Sequence, residues 1–217
     1  MMNAQKAGGV GALLQGIFFL LILGLIVMVL PGFGFQGPSD FADPTKVLPF
    51  VASQPVVAFL LFPGDVLFAV FLIVTVLGVY DRLHTASPAL IRLATAAGLV
   101  ATTLILANGT IGNSVLQLAR DYPQNQVTAA TTFRTLTLVS SNGVGLVSGG
   151  IFAYGWWALL ISWAALRTAT WPRPLHYLGL VFGAAGILAI AVPALGFLGP
   201  LVGIIWCLWF GMVLLRA

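Results

Sequence analysis

One carboxylate stands where carboxylates are costly. Asp65 follows Pro63 and Gly64 inside the run "VVAFLLFPGDVLFAVFLIVTVLGVYDRL", which is long enough to cross a bilayer. An unpaired carboxylate in hydrocarbon costs at least ~2.5 kcal/mol, so it must find a partner or a proton. Counted by helical rise from the boundary near Tyr80, Asp65 lies roughly 22 Å up its helix. Asn108 reaches a similar height counted from Arg92, and Asn142, preceded by Ser140 and Ser141, lies at or just above it. These polar side chains from three helices form the candidate ligand-binding layer, in which Asp65, Asn108, Ser141 and Asn142 face an outward pocket for a polar or cationic headgroup.

Two structural accounts of Asp65 compete with that layer. In one, Pro63-Gly64 breaks the helix and Asp65 caps the restarted segment by accepting amide hydrogen bonds, leaving Leu48 to Phe62 as an outer, partly re-entrant element. In the other, the helix is continuous but kinked at Pro63, and Asp65 turns inward to pair with Asn108 or to face a water-filled vestibule.

Other chemistry is sparse. Two histidines, His84 and His176, fall at the same surface, outside any apolar span, and are expected to be solvated. With Asp81 they show no metal-site spacing, and no metal site is expected. The sequence has no Gly-rich phosphate loop, no His-Glu-x-x-His and no Gly-x-Ser-x-Gly. No catalytic residue is assigned and no cofactor is expected, although bound lipid is compatible with the composition. Cys207, the single cysteine, lies in an apolar stretch and is expected to act as a small hydrophobe. Trp206 and Trp209 are expected in the core.

The elements that position these residues follow from the solvent. Of 217 residues, 60% are hydrophobic and 6% charged, with a mean hydropathy of +1.07. Soluble domains carry roughly 25% charged residues, so too little polar surface exists to cover a core in water. The expected fold is an all-α integral membrane protein, a single transmembrane domain over 1–217. Its six helices are placed at about 10–30, 55–83, 88–118, 127–166, 175–191 and 200–216. The run after Lys6 is expected to be an uncleaved first span, because it is long and no Ala-x-Ala pattern follows. Pro88 occupies a favoured first helical position, and Asp121-Tyr-Pro-Gln-Asn is a turn signal. Helices three and four are too long for a ~30 Å hydrocarbon core, and their polar excess flanks that turn. A helical hairpin projecting on the outer side is therefore expected.

Loop cations set the orientation. Lys6, Arg82, Arg92, Arg167, Arg173 and Arg216 fall on one face, against Lys46, Arg120 and Arg134 on the other. The positive-inside rule puts both termini in the cytoplasm of a bacterial inner membrane. The net charge of +4 has no basic run, so nucleic acid is not an expected partner. Glycines recur four apart at Gly145 and Gly149, Gly179 and Gly183, and Gly199 and Gly203, with Ala94, Gly98 and Ala101 similar. Such stripes let helix backbones meet closely. They serve either a dimer seam or packing among the six helices, and packing is the expectation.

The segments "YDRLHTASPALIRLATAAGLV", "FAYGWWALLISWAALRTATWPRPLHYLGLVFGAAGILAIAVP" and "IIWCLWFGMVLLRA" resemble an uncharacterised bacterial family of six-span membrane proteins, a domain of unknown function. The likeness covers about Tyr80 to Ala217. It rests on Gly155-Trp156, on Pro172-Arg173 leading to Leu178-Gly179, and on Trp209-x-Gly211. It implies six helices with an inner C-terminus and no activity. The expected role is non-enzymatic: an accessory subunit of a larger membrane complex, or a lipid-binding scaffold, with lipids and other membrane subunits or a second copy as partners. The alternative is a small-molecule carrier with its pocket around Asp65.

Overall fold

The computed structural model describes residues 3–140, 145–192 and 195–216, without the side chains of 38 and 196–198. Its regular elements among these residues are all helical. Helix α1 (Ala4–Gly24) opens on Asn3, whose side chain accepts from the Lys6 amide at 2.9 Å. It runs on through a π turn (Leu25–Val29) and a 3-10 turn (Leu30–Phe33). Pro31 explains the change of winding. Its ring clashes with the carbonyl four residues back in an α-helix, and the wider turn, in which the Leu30 amide reaches Leu25, carries the chain past that point. Gly34 ends it at φ 85°, a left-handed conformation natural to glycine.

Helices α2 (Pro44–Ser53), α3 (Pro55–Leu61), α4 (Asp65–Leu83), α5 (Pro88–Asp121), α6 (Gln126–Ser140), α7 (Leu146–Thr168), α8 (Arg173–Leu188) and α9 (Leu195–Arg216) follow. Six of them form an antiparallel bundle, as close approaches show. Gly8 on α1 meets Gly78 on α4, and Gly11 meets Phe71 and Thr75. Gly109 on α5 meets Val66 on α4, while Gly98 meets Val76. Gly98 also touches Trp157 on α7, and Gly150 touches Ile105. Gly155 on α7 meets Gly183 on α8, and α8 in turn presents Gly179 to Trp206 of α9. The circle closes where Gly9 meets Gly211 and the Gln5 side chain donates to the Leu214 carbonyl at 2.9 Å. Gln5 and Leu214 therefore lie at one end of the bundle.

Five segments are long and apolar enough to cross a membrane: Ala4–Phe33, Asp65–Leu83, Pro88–Asp121, Leu146–Thr168 and Gly199–Arg216. Helix α8, the expected fifth span, has 16 residues. That is about 24 Å, short of a ~30 Å hydrocarbon core.

Two expectations are corrected. The single helix placed at 127–166 is two, α6 and α7. Gly145, the residue before Leu146, has an extended backbone that belongs to neither helix. The helix placed at 55–83 is interrupted between α3 and α4. The α5–α6 hairpin packs on other elements: Val115, Ala119, Ala129 and Phe133 bury against Leu30, Phe35, Val47, Leu48, Phe50, Val51 and Ala58. Helices α2 and α3 thus make, with the hairpin, a cap with its own apolar core. At its edge Lys46 pairs with Asp40 at 2.5 Å. That bond and the Gln36 and Gly37 amides hold the Asp40 carboxyl below the usual carboxylate range.

The glycine stripes serve packing within the chain. Gly179, Gly183 and Gly203 each face a neighbouring helix, and Gly149 approaches Leu104. Two expected positions behave differently. Gly145 is the extended residue preceding α7, so it shares no helical face with Gly149. A methyl on Gly199 would meet no described atom within 4 Å.

Candidate functional site

The break between α3 and α4 creates the site. The Phe62 amide closes α3 on the Ala58 carbonyl at 3.0 Å, and Pro63 has no amide to continue the ladder. The carbonyls of Pro63 and Gly64 then accept from Val66 and Leu67, both at 2.9 Å, and winding resumes. Gly64 holds the capping position, and no side-chain cap is formed there. Of the two competing accounts, the capping role for Asp65 is not formed: Asp65 is the first residue of α4, one position past the cap. Its carboxylate instead accepts from the Asn108 amide of α5 at 2.6 Å. The carbonyl oxygen of Asn108 accepts from the Ser140 hydroxyl of α6. Each competing account is right in one half: the helix breaks, and Asp65 pairs with Asn108. Ser141 and Asn142 lie outside the described residues.

Two glycines of α5 allow the close fit. A methyl on Gly112 would lie 2.3 Å from the Phe62 backbone, and one on Gly109 would lie 2.7 Å from the Val66 nitrogen. Any larger residue would push the broken segment off α5 and separate Asp65 from Asn108.

Beside this layer lies an open cleft of about 280 Å³, lined by Phe59, Pro63, Val66, Leu67, Gly109, Thr110 and Asn113. Asp65 and Asn108 are the immediate chain neighbours of Val66 and Gly109 but do not line it. Thr110 closes its own hydroxyl on the Ala107 carbonyl at 2.6 Å. The cleft is thus an apolar slot with the exposed Asn113 amide on its wall.

A second polar cluster escaped the sequence reasoning. Gln15 of α1 is fully buried, and its amide donates to the Thr75 hydroxyl of α4 at 2.7 Å. Its carbonyl oxygen accepts from the Tyr154 hydroxyl of α7 at 2.7 Å, and that hydroxyl lies 3.4 Å from the Cys207 sulfur of α9. Four helices meet there. The Tyr154 ring stacks on Trp157 and meets Phe68 and Phe182 edge-on, and Trp206 stacks on Phe210. The available signal was Gln15 itself, alone in a 21-residue helix that is otherwise apolar beyond Lys6. Cys207 is buried, as a small hydrophobe would be, yet it is also a hydrogen-bonding partner.

His84 stays at the surface, with Nδ1 near the Asp81 carbonyl at 2.9 Å. His176 does not: it is buried, with Nε2 3.0 Å from the Trp171 carbonyl. The expected solvated histidine is corrected, because the turn before α8 folds its first helical winding back over Trp171. No group of three or more metal-binding side chains comes together among the described residues.

Long apolar helices joined by buried polar contacts define an all-helical protein of membrane-spanning character. Within that class the chain belongs to the family described as Domain of unknown function (DUF4386), whose model matches residues 16–217 and so includes Asp65. No curated protein and no solved structure matches the chain.

Proposed function

We propose that this chain is a non-enzymatic bacterial inner-membrane protein that holds a lipid at its outer boundary, a lipid-binding scaffold. The observation that carries the reading is the apolar cleft beside the Asp65–Asn108–Ser140 chain. That polar chain ties α4, α5 and α6 together at the height where acyl chains give way to headgroups. The cleft itself lies between α3, α4 and α5. Six crossings follow if α8, antiparallel between α7 and α9, is counted with the five longer helices. The end bearing six of the nine Lys and Arg residues then faces the cytoplasm. The outer cap stands beyond the membrane on the far side. A lipid is preferred to a protein partner because, among the described residues, Gly149, Gly179, Gly183 and Gly203 pack against other parts of this chain.

The test is native mass spectrometry of the full chain released from nanodiscs of defined lipid. Wild type should retain lipid. Leu67→Trp, which fills the cleft, should lose most of it with the helical signal unchanged. Recovery of lipid-free wild type counts against the proposal.

The break before Asp65 also favours a carrier, since discontinuous helices at such sites hold substrates. Asp65→Asn measured by uptake into vesicles separates the two. A change in uptake with unchanged lipid retention supports the carrier.

A further inference from the structure

A different surface, at the opposite end from the cleft, has chemistry of its own. Lys6, Arg82, Arg92, Arg167, Arg173 and Arg216 all lie at the end that holds Gln5 and Leu214, and all six are exposed. Asp81 is the carboxylate side chain on that end. Among the described residues the one salt bridge is Lys46–Asp40, in the cap, so no described side chain neutralises any of the six.

The hairpin of α7 and α8 arranges two of these cations in a repeated pattern. Trp163 and Arg167 are four residues apart at the end of α7, and Arg173 and Tyr177 are four apart at the start of α8. Residues four apart share a helical face. On each helix, then, an exposed aromatic stands one turn further into the bundle than an exposed guanidinium. Trp163 is 46% exposed and Tyr177 57%. The Arg167 guanidinium lies 5.2 Å from the Trp163 ring centre. Tyr80, on α4, adds a third exposed ring at this end. Amphipathic rings settle at the headgroup level, and guanidinium groups one turn beyond them reach the phosphates while their stems lie on apolar surface. Exposed Val181, one turn deeper than Tyr177, continues the face as hydrocarbon-compatible surface. Charge, rings and apolar flank therefore occur in the order a lipid leaflet presents phosphate, glycerol and acyl chain.

We infer that this end of the bundle is a contact surface for anionic phospholipid, with Arg167 and Arg173, on either side of the α7–α8 turn, as its principal phosphate-binding pair. A nucleic acid or an acidic protein would need the cations to stand clear of the apolar flank, and here they adjoin it. The inference rests on the bundle being membrane-embedded, and is independent of the outer cleft.

The experiment uses the full chain in phosphatidylcholine vesicles carrying a trace of spin-labelled phosphatidylglycerol or spin-labelled phosphatidylcholine. Wild type should associate with the phosphatidylglycerol probe several-fold more strongly, and raised salt should erode the preference. Arg167→Gln with Arg173→Gln should reduce it, by up to roughly fivefold per side chain given ~1 kcal/mol for each cation near an anionic surface. Arg120→Gln with Arg134→Gln, at the other end, should leave it intact. Both pairs are exposed, and circular dichroism confirms folding; should the inner pair unfold the chain, Arg173→Gln alone serves. A wild type indifferent to headgroup charge overturns the inference. So does equal loss from the two pairs, since that would reflect net charge instead of this surface.

Discussion

At the seam between α7 and α8, a methyl on Gly155 would lie 2.7 Å from the Gly183 carbonyl oxygen, and one on Gly183 would lie 2.6 Å from that of Gly155. Two backbones touch with nothing between them. In the cap the contact is made by bulk: Phe133, Phe50, Phe35, Val47 and Leu48 fill the space between α2, α3 and the α5–α6 hairpin. The difference follows from the solvent each region is proposed to meet. Apolar side chains gain almost nothing by leaving lipid for a protein core, so helices there associate through close backbone packing and buried hydrogen bonds. In water the same side chains are driven inward by about 25 cal/mol per Å² of apolar surface removed. One chain uses both means of cohesion, and the bundle adds a buried apolar core of its own that includes Trp157, Trp206 and Phe210.

Deleting bulk from the cap should have the largest effect. Phe133→Ala removes a fully buried ring and is expected to cost about 3–5 kcal/mol, borne by the cap alone. Hydrogen exchange should accelerate over 44–53 and 126–140 while amides of α7 and α8 keep their protection. If α7 and α8 loosen equally, the cap is not a separate unit. If the cost is under about 1 kcal/mol, its surroundings are not aqueous.

Adding bulk to the bundle should come next. Gly155→Val forces α7 and α8 apart and is expected to cost about 1–3 kcal/mol, seen as a lower melting temperature in a fixed detergent. Gly24→Val is the control, because a Cβ there meets nothing within 4 Å. Equal losses from the two would show that helix propensity, and not the seam, set the result.

How much of this was legible depends on how far apart the partners lie in the chain. The long spans were, because each is a continuous apolar run; α5 begins at Pro88 and turns after Asp121 as its sequence indicates. The shared height of Asp65 and Asn108 was legible as well, since it follows from helical rise, but Asn108 was only one of the partners left open for Asp65. The division into α6 and α7 was not, because the apolar pattern continues through Val139 and resumes at Leu146. Nor was the cap core, whose short helices α2 and α3 carry no period long enough to declare a buried face. Gln15 was the hardest case: its partners Thr75 and Tyr154 are 60 and 139 residues away. Nothing in a single sequence names them.

The smallest expected effect belongs to that cluster. Tyr154→Phe keeps the ring, and with it the stack on Trp157 at 5.5 Å, but removes the hydroxyl that donates to Gln15. Hydrogen bonds between membrane helices average ~0.6 kcal/mol, so the loss is expected near that value, below either change in packing. The single variant cannot separate the bond from the orphaned Gln15 oxygen it leaves behind. A double-mutant cycle with Gln15→Leu can, because in that background the tyrosine hydroxyl has already lost this acceptor. Tyr154→Phe should then cost less, by the coupling energy. A coupling near zero would mean that the four helices meeting at Gln15 are held there by ring packing, and that the buried polar atoms merely satisfy one another.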